Sequence, residues 1–503
     1  MSTLHLSHVL HAHLIQYILL LLVYNLTFHP LAKYPGPILW RCTRLKYLIS
    51  GWKGYLHTDV MAMHKRYGSV VRIAPNELSF CDPAAWEDIY SNRGGALAFP
   101  KSRVIFSSLP GRADSIVTTI DDKLHARMKK KMDMGFTDSA VARQEDLVQK
   151  HVSKLVSKLR DKVQYSLDGE AIVNVVKWMV FVTLDIVTDL SFGESFHSLD
   201  NADVGEWGGV VFNSIRAQWC VALLRHYTWI TWALNRLIPR SAKEKAEWIW
   251  SVVEEKVDRR LARMTDRPDF LDLWQRQGKG KEGLGDGQIY SNAVVMVVAG
   301  TETSSAILTG ALCHLVNSPE TLNMLTRELR TQFAQEDQMT FAAVKRLPYL
   351  NAVVKEVFRM CNPNPFGLPR ITPPQGGTVC GNVLPGNVFV SIHAQALSMD
   401  DTRFHKATAF YPERWLPEVV ADPSSPFRSD DRSSVQVFSI GPRSCIGQRL
   451  AMAEVTLTLA KLVWNFDFCR ANTEAGELVW EEQRAFPVIE KKPFEVKISL
   501  KKS

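Results

Sequence analysis

A mostly helical chain with small β-sheets, an α+β fold held in a single domain, is the architecture that the sequence predicts. Three observations predict it. Helical periodicity runs from about residue 120 to 360, strand signals are short and lie on either side of that stretch, and no Gly-, Ser- or Pro-rich linker separates one part from another. The length of 503 residues alone would suggest two or three domains. With 46% hydrophobic and 22% charged residues, the chain has the apolar surface for a large core and lacks the composition of a disordered one.

The formal charge of +8 is mild for this size and spread along the chain. That argues against nucleic acid and fits a basic docking face for an acidic partner. The eight cysteines show no C-x-x-C and no regular framework, so neither a disulfide scaffold nor a zinc module is expected, and a reducing compartment suits them.

Taken in order, residues 1–32 contain no Asp, Glu, Lys or Arg, and Val9 to Phe28 reaches the ~20 residues of a membrane span if His11 and His13 sit at the interface. Lys33, Arg41, Arg44 and Lys46 follow it, which places the rest of the chain in the cytosol. A cleaved signal peptide and a buried helix are the alternatives, but no basic n-region or small-residue cleavage site is clear. The expectation is a membrane anchor over 1–30 ahead of one domain over 31–503. His29-Pro-Leu and Tyr34-Pro-Gly-Pro37 stop the helix and stiffen the connector. Asn25-Leu-Thr27 matches a glycosylation pattern by accident of an apolar run.

Residues 55–67 read as a helix, and 70–73 and 77–80 as a hairpin around Ala74-Pro-Asn76. Asp82-Pro83 caps a short helix that runs to Tyr90. No period persists from Gly94 to Thr119, which predicts a long loop, and loops of that length are often functional. The Gly205–Arg240 region carries Trp207, Phe212, Trp219, Tyr227, Trp229 and Trp232, by itself a pattern of ordinary core. Beyond Pro363 come short strands with Gly/Pro turns, through Val390. The tail 494–500 alternates as a half-buried strand.

Three stretches carry chemistry. Gln288 to Asn317 reads as one helix whose middle is Ala299-Gly300-Thr301-Glu302-Thr303-Ser304, with Glu302 its single charge between Ala293 and Val316. A membrane span would tolerate that carboxylate poorly, so a buried reaction pocket is the better reading, with Gly300 letting a ligand approach. Pro348 to Arg359 is an amphipathic helix that sets Glu356 and Arg359 three residues apart on one face, and Pro412-Glu-Arg414-Trp415 follows downstream. Last comes Phe438-Ser-Ile-Gly441-Pro-Arg443-Ser-Cys445-Ile-Gly447, directly before an apolar helix from Gln448 to Trp464. A helix N-terminus favours a thiolate, Gly441 permits a tight turn, and Gly447 lets the backbone pass a flat partner. Phe438 could pack on that partner and Arg443 could pair with its anionic substituents. A lone cysteine there is more often a buried core residue.

Taken together these motifs resemble the cytochrome P-450 family. Every position of its F-x-x-G-x-R-x-C-x-G pattern is filled, and the acid–alcohol, E-x-x-R and P-E-R-[FW] patterns occur in order. The resemblance covers roughly residues 30–503. The connector, Phe192-Gly-Glu-Ser-Phe196 and the cysteine loop are most similar to fungal secondary-metabolite members of the trichothecene C-15 hydroxylase type.

The resemblance implies haem b (iron protoporphyrin IX), with Cys445 as the axial ligand of iron. It implies Glu302 and Thr303 as the catalytic pair that manages protons, and a buried triad of Glu356, Arg359 and Arg414 that locks the core behind the cysteine loop. Arg443 and Arg370 are candidates for the haem propionates. The family's W-x-x-x-R pair falls at His125 and Lys129, a departure at both positions. Leu397-Ser398-Met399-Asp400 also departs, since many members carry His-Arg before the Asp. Lys129-Lys130-Lys131 is either a solvated face or a docking site for an acidic reductase. The loop 94–119 and the 205–240 region would cover the substrate. Implied partners are an NADPH-cytochrome reductase, cytochrome b5, an apolar small-molecule substrate and the endoplasmic reticulum membrane. The implied activity is monooxygenation, most simply hydroxylation of a terpenoid or polyketide intermediate. Epoxidation, dehydrogenation and ring formation remain open, as does a haem sensor without turnover, which would not need the acid–alcohol pair.

Overall fold

The computed structural model describes residues 3–92, 98–227, 232, 236, 239–263, 267, 269–275 and 284–501. Helices of seven residues or more are numbered here. They begin with α1 (Thr3–Thr27), α2 (Leu45–Lys53), α3 (Leu56–Tyr67), α4 (Ala84–Tyr90), α5 (Asp122–Met132), α6 (Asp138–Gln164) and α7 (Val175–Phe192). They continue with α8 (Gly205–Leu224), α9 (Arg240–Leu261), α10 (Asp286–Val316), α11 (Pro319–Gln332), α12 (Pro348–Met360) and α13 (Gln448–Asn465). With 57% of residues helical and 9% in strands, the fold is mostly α, as expected.

The strands sort into four small sheets. β1 (Val70–Ala74), β2 (Glu77–Phe80), β7 (Phe389–Ile392) and β4 (Arg370–Ile371) lie side by side in the order β1-β2-β7-β4. The hairpin β1–β2 is antiparallel, whereas β2 and β7 run parallel with Glu77 opposite Phe389. β3 (Glu170–Asn174) and β8 (Phe466–Arg470) flank the tail strand β11 (Glu495–Leu500). Two hairpins complete the set, β5 (Gly377–Val379) with β6 (Asn382–Leu384), and β9 (Ala485–Phe486) with β10 (Val488–Ile489).

The core is built around α10. It packs along α7 and against α9, α12 and α13. Apolar side chains from α6, α7, α10, α12 and α13 join in one buried cluster. Gly300 belongs to this packing rather than to a ligand: a Cβ there would lie 2.7 Å from Val187 Cγ2, so the glycine lets α10 and α7 approach closely. The alternative of a membrane span for α10 also falls away. Among the described residues it is the one helix long and apolar enough to cross a membrane, but 67% of its apolar window is buried inside the protein.

At the other end, α1 exposes Leu14, Ile15, Ile18, Leu19 and Leu20, and its apolar part, His11–Thr27, is shorter than a full span. The expected single transmembrane helix over 1–30 is therefore not matched in length. Asn25 is buried and donates its amide to the Cys42 carbonyl at 2.9 Å, so the glycosylation pattern is inert.

Residues 98–121 form no helix or strand, in keeping with the aperiodic sequence. Residues 93–97 of that loop and Trp229 lie outside the described residues, as do the side chains of Trp207 and Phe212. Of the aromatics that remain, Trp219 on α8 is buried. It donates Nε1–H to the Gly51 carbonyl at 3.2 Å and stacks on Phe366 with ring centroids 5.2 Å apart.

Candidate active site

The loop before α13 closes on itself. Cys445 N–H donates to the Phe438 carbonyl at 2.9 Å, and Ser444 N–H to the Gly441 carbonyl at 3.1 Å. Gly441 has φ +76°, and a Cβ there would lie 2.0 Å from the Tyr90 carbonyl at the end of α4, so no other residue fits. Phe438 packs on Phe358 of α12, with ring centroids 5.2 Å apart. Gly447 is the N-cap of α13, and a Cβ on it would meet nothing closer than 3.9 Å, so the backbone lies open there.

Cys445 itself is solvent-accessible, yet burial of its surroundings pushes the thiol up. The Gly447 N–H pulls it back down, followed by Lys129 and the Gln448 N–H. A thiol that is both accessible and desolvated faces an internal slot rather than bulk water. The donors at the helix N-terminus are those that would support a thiolate.

A rigid polar frame stands behind the loop. Glu356 accepts from Arg359 at 2.7 and 2.9 Å, from Arg414 Nε at 3.1 Å, from Trp415 Nε1 at 2.8 Å and from the Tyr411 N–H at 3.0 Å. Both arginines and the glutamate are 0% exposed. Burial pushes the Glu356 carboxyl up, but Arg359 and Arg414 together hold it below its ordinary value. Arg359 Nη1 also donates to the Ser398 carbonyl at 2.7 Å, so the departure at 397–400 keeps its backbone contact with this frame. Arg414 has a second acid, the buried Asp430. Nothing in the sequence signals Asp430, because its role arises only when the chain returns to Arg414.

The cations around the slot are unusual. Arg370 is 2% exposed and, among the described residues, donates only to the carbonyls of Leu368 and Pro369, at 3.4 and 3.2 Å; burial lowers it to about 10, with Arg443 adding to the effect. Lys101, buried in the long loop, donates to the Val117 carbonyl at 2.7 Å. Burial pushes its amine well below the ordinary value, and Arg370 and Arg443 push the same way. His125 is buried and lowered to about 3, first by burial and then by Arg443, Lys101, Lys129 and Arg370. It is neutral, so it offers a neutral imidazole where the family pattern has tryptophan. Lys129 donates to the Pro442 carbonyl at 3.1 Å and to Ser444 Oγ at 3.2 Å, bracing the cysteine loop. Arg443 pairs with Asp122 at 2.8 Å and donates to the Thr119 carbonyl at 3.0 Å.

These groups repel one another, and Asp122 is the carboxylate that opposes them. Buried uncompensated cations destabilise a fold unless an anion joins them. This is the observation that the carboxylates of a haem fit, beside an accessible thiol and an open glycine backbone. Lys101 is the functional residue that sequence reasoning missed, since a single lysine in an aperiodic loop carries no signal.

α10 also presents an open face. Most of the helix is buried, but Ala299 is exposed and Val295 and Thr303 are half-buried, spaced i, i+4 and i+8 on one face. Thr303 Oγ1 donates back to the Ala299 carbonyl at 2.7 Å. Glu302 points elsewhere: its Oε2 accepts from Lys491 Nζ at 2.5 Å, with both side chains buried. The acid and the alcohol are thus neighbours in sequence but turned to different partners, and the acid is buried. A separate hollow of about 740 Å³, lined by Trp40, Lys46, Ile49, Asp59 and Tyr67, touches none of these residues.

Comparison with known proteins gives one family and a set of fungal relatives. The cytochrome P-450 profile matches residues 30–498. The chain is 37% identical to the cytochrome P-450 monooxygenase atr2 of Stereocaulon alpinum, across 95% of this chain and 92% of that protein. It is 34% identical to the cytochrome P-450 monooxygenase efuB of Hormonema carpetanum, across 95% and 93%. It is also 34% identical to the trichothecene C-4 hydroxylase of Trichoderma arundinaceum, across 93% and 92%.

Proposed function

The chain belongs to the cytochrome P-450 family, and from that premise we propose that it is a monooxygenase of fungal secondary metabolism that hydroxylates an apolar terpenoid or polyketide intermediate. The observation that carries the reading is the accessible, desolvated Cys445 thiol together with a cluster of cations, Arg370 and Lys101 buried and Lys129 and Arg443 half-buried, that Asp122 opposes. The fungal relatives named as monooxygenases and as a hydroxylase support the reaction class. Haem, when bound, supplies the activation of dioxygen and the transfer of one oxygen atom.

The chain's own residues do the rest. Cys445 would ligate the iron, steadied by the N–H groups of Gly447 and Gln448. Arg370, Lys101, Lys129 and Arg443 would hold the haem carboxylates, with the neutral His125 among them. Val295, Ala299 and Thr303 orient the apolar molecule against the slot and keep water out. The Thr303 hydroxyl holds a proton at Oγ1, and the Glu302 carboxylate, once it leaves Lys491, takes a proton from water at Oε2 and passes it on.

Electrons come from NADPH through a cytochrome reductase, with cytochrome b5 as a second donor. The exposed Lys123, Arg127 and Lys130 of α5, on the helix whose Lys129 braces the cysteine loop, support a docking face there. The exposed apolar side chains of α1 support an anchor in the endoplasmic reticulum membrane, with the haem domain in the cytosol.

A reduced carbon-monoxide spectrum tests the central point. Wild type gives the thiolate-type band, and Cys445→Ala loses it while the protein stays folded. Retention of that band by the variant would sink the assignment.

A further inference from the structure

Glu302 is the acid of the proton route, yet the structure ties it to a lysine near the C-terminus. Lys491 follows the β9–β10 hairpin, and its Nζ lies 2.5 Å from Glu302 Oε2 and 3.5 Å from the Glu302 carbonyl. The side chains are 5% and 9% exposed, so water does not compete for the pair. The preceding residue faces the other way, as neighbours in an extended segment do. Glu490 pairs with Arg484 and lies 3.7 Å from Arg216 Nη1 on α8. Arg216 also sits 4.6 Å from the Phe486 ring of the same hairpin.

The hairpin hangs from two fixed points, with Ala485 N–H on the Gly54 carbonyl at 2.9 Å and Ile489 N–H on the Pro363 carbonyl at 3.1 Å. Consecutive residues of one short segment therefore join α8, which belongs to the aromatic-rich part of the chain, to the acid on α10. A displacement of α8 pulls on Glu490 and so on Lys491.

We propose that Lys491 is a positioning residue that holds the Glu302 carboxylate out of proton transfer until α8 moves, so that filling of the site by an apolar molecule opens the proton route. This rests on the monooxygenase reading. With the pair closed, Glu302 Oε2 is occupied and Thr303 Oγ1 is satisfied within its own helix. With the pair open, the carboxylate is free to take a proton from water and pass it on.

The test uses holoenzyme reconstituted with an NADPH-cytochrome reductase and no organic substrate. NADPH consumption is followed with hydrogen peroxide, so that O2, NADPH and H+ give H2O2 and NADP+. Lys491→Met raises this leak per bound haem by at least about fivefold, the lower end of ordinary coupling between sites, and Lys491→Arg leaves it near wild type. Arg216→Gln, on α8, raises the leak in the wild-type background and adds nothing to Lys491→Met. Hydrogen exchange supplies a readout apart from turnover: amides of residues 299–306 exchange faster in both single variants, with the same lack of additivity. If Lys491→Met loses haem, the Arg216→Gln measurements decide alone. Leak and exchange unchanged from wild type, in a protein that keeps the thiolate-type spectrum, overturn the proposal alone. A wild type without that spectrum overturns the monooxygenase reading and the proposal together.

Discussion

Lys101 and Glu454 are both buried ionisable groups, and the physics of each gives opposite signs for fold and function. Lys101 is held well below its ordinary value by burial and by neighbouring arginines, so the protein without haem carries a repulsion that the cofactor's carboxylates relieve. Lys101→Met should therefore stabilise the haem-free protein while it speeds haem loss roughly tenfold, the effect of one charge-assisted hydrogen bond. Transfer of haem to apomyoglobin measures the second effect, and thermal unfolding of the haem-free protein measures the first. Glu454 on α13 lies at 5% exposure, and Oε1 has no hydrogen-bond partner among the described residues. Burial raises its carboxyl to about 8. Its folded value lies above its unfolded one, so the folded state holds a proton that the unfolded chain has already released. Stability must fall as pH rises from about 4.5 to 8, at roughly 1.4 kcal/mol per unit from this group. Unfolding of Glu454→Gln across that range should lack this component.

At the scale of elements, α12 and the segment 411–415 act as one piece because Glu356 receives five donors from them. Removing the carboxylate strands two buried guanidiniums. Glu356→Gln should cost about 3–5 kcal/mol and abolish haem retention, whereas Arg449→Gln, on an exposed pair with Asp138, should change stability by about 0.5 kcal/mol or less. Denaturant unfolding compares the two. The pairing of Glu356 with Arg359 was legible because both lie one turn apart on a strongly amphipathic helix. Asp430 and Lys491 were not. Lys491 lies 189 residues from Glu302, and only the folded course of the chain brings them together. Gly300 was legible as a point of close approach but not as to what approaches. The pattern around it says that a side chain is unwelcome, and only the packing of α7 shows that Val187 is the reason. The cysteine loop read most clearly because its constraints are local: a turn at φ +76°, an aromatic in contact with α12, and a helix N-terminus.

For the whole molecule the same linkage argument predicts where acid unfolds it. His57, His64 and His393 are buried beneath the β1-β2-β7-β4 sheet at 1, 6 and 2% exposure. His64 bridges the Gly68 carbonyl at 2.9 Å and Ser79 Oγ at 2.8 Å, and its ring lies 6.1 Å from that of His393. Burial lowers His57 and His64 to about 4 and His393 well below its ordinary value, with the attraction of Asp400 for His64 too weak to reverse this. These are bases with folded values below their unfolded ones. Above about 6.5 neither state binds the protons and the three cost nothing. Below it the unfolded chain takes up three protons that the fold refuses, and stability falls at roughly 4 kcal/mol per unit. Glu454 works against this slope by one proton between about 4.5 and 8, whereas His29, His125, His226 and His314, lowered by burial as well, steepen it, so stability peaks near pH 6.5 and falls on the acid side. Unfolding of the holoenzyme from pH 5 to 8 should trace that asymmetric curve, steep on the acid side and shallow on the alkaline side. Replacing His57 with Gln should reduce the acid slope by one proton, roughly 1.4 kcal/mol per unit, while leaving the alkaline limb in place. A wild-type curve that is flat below pH 6.5 would mean that the cluster takes up its protons within the fold, and that these rings are wetter than their burial implies.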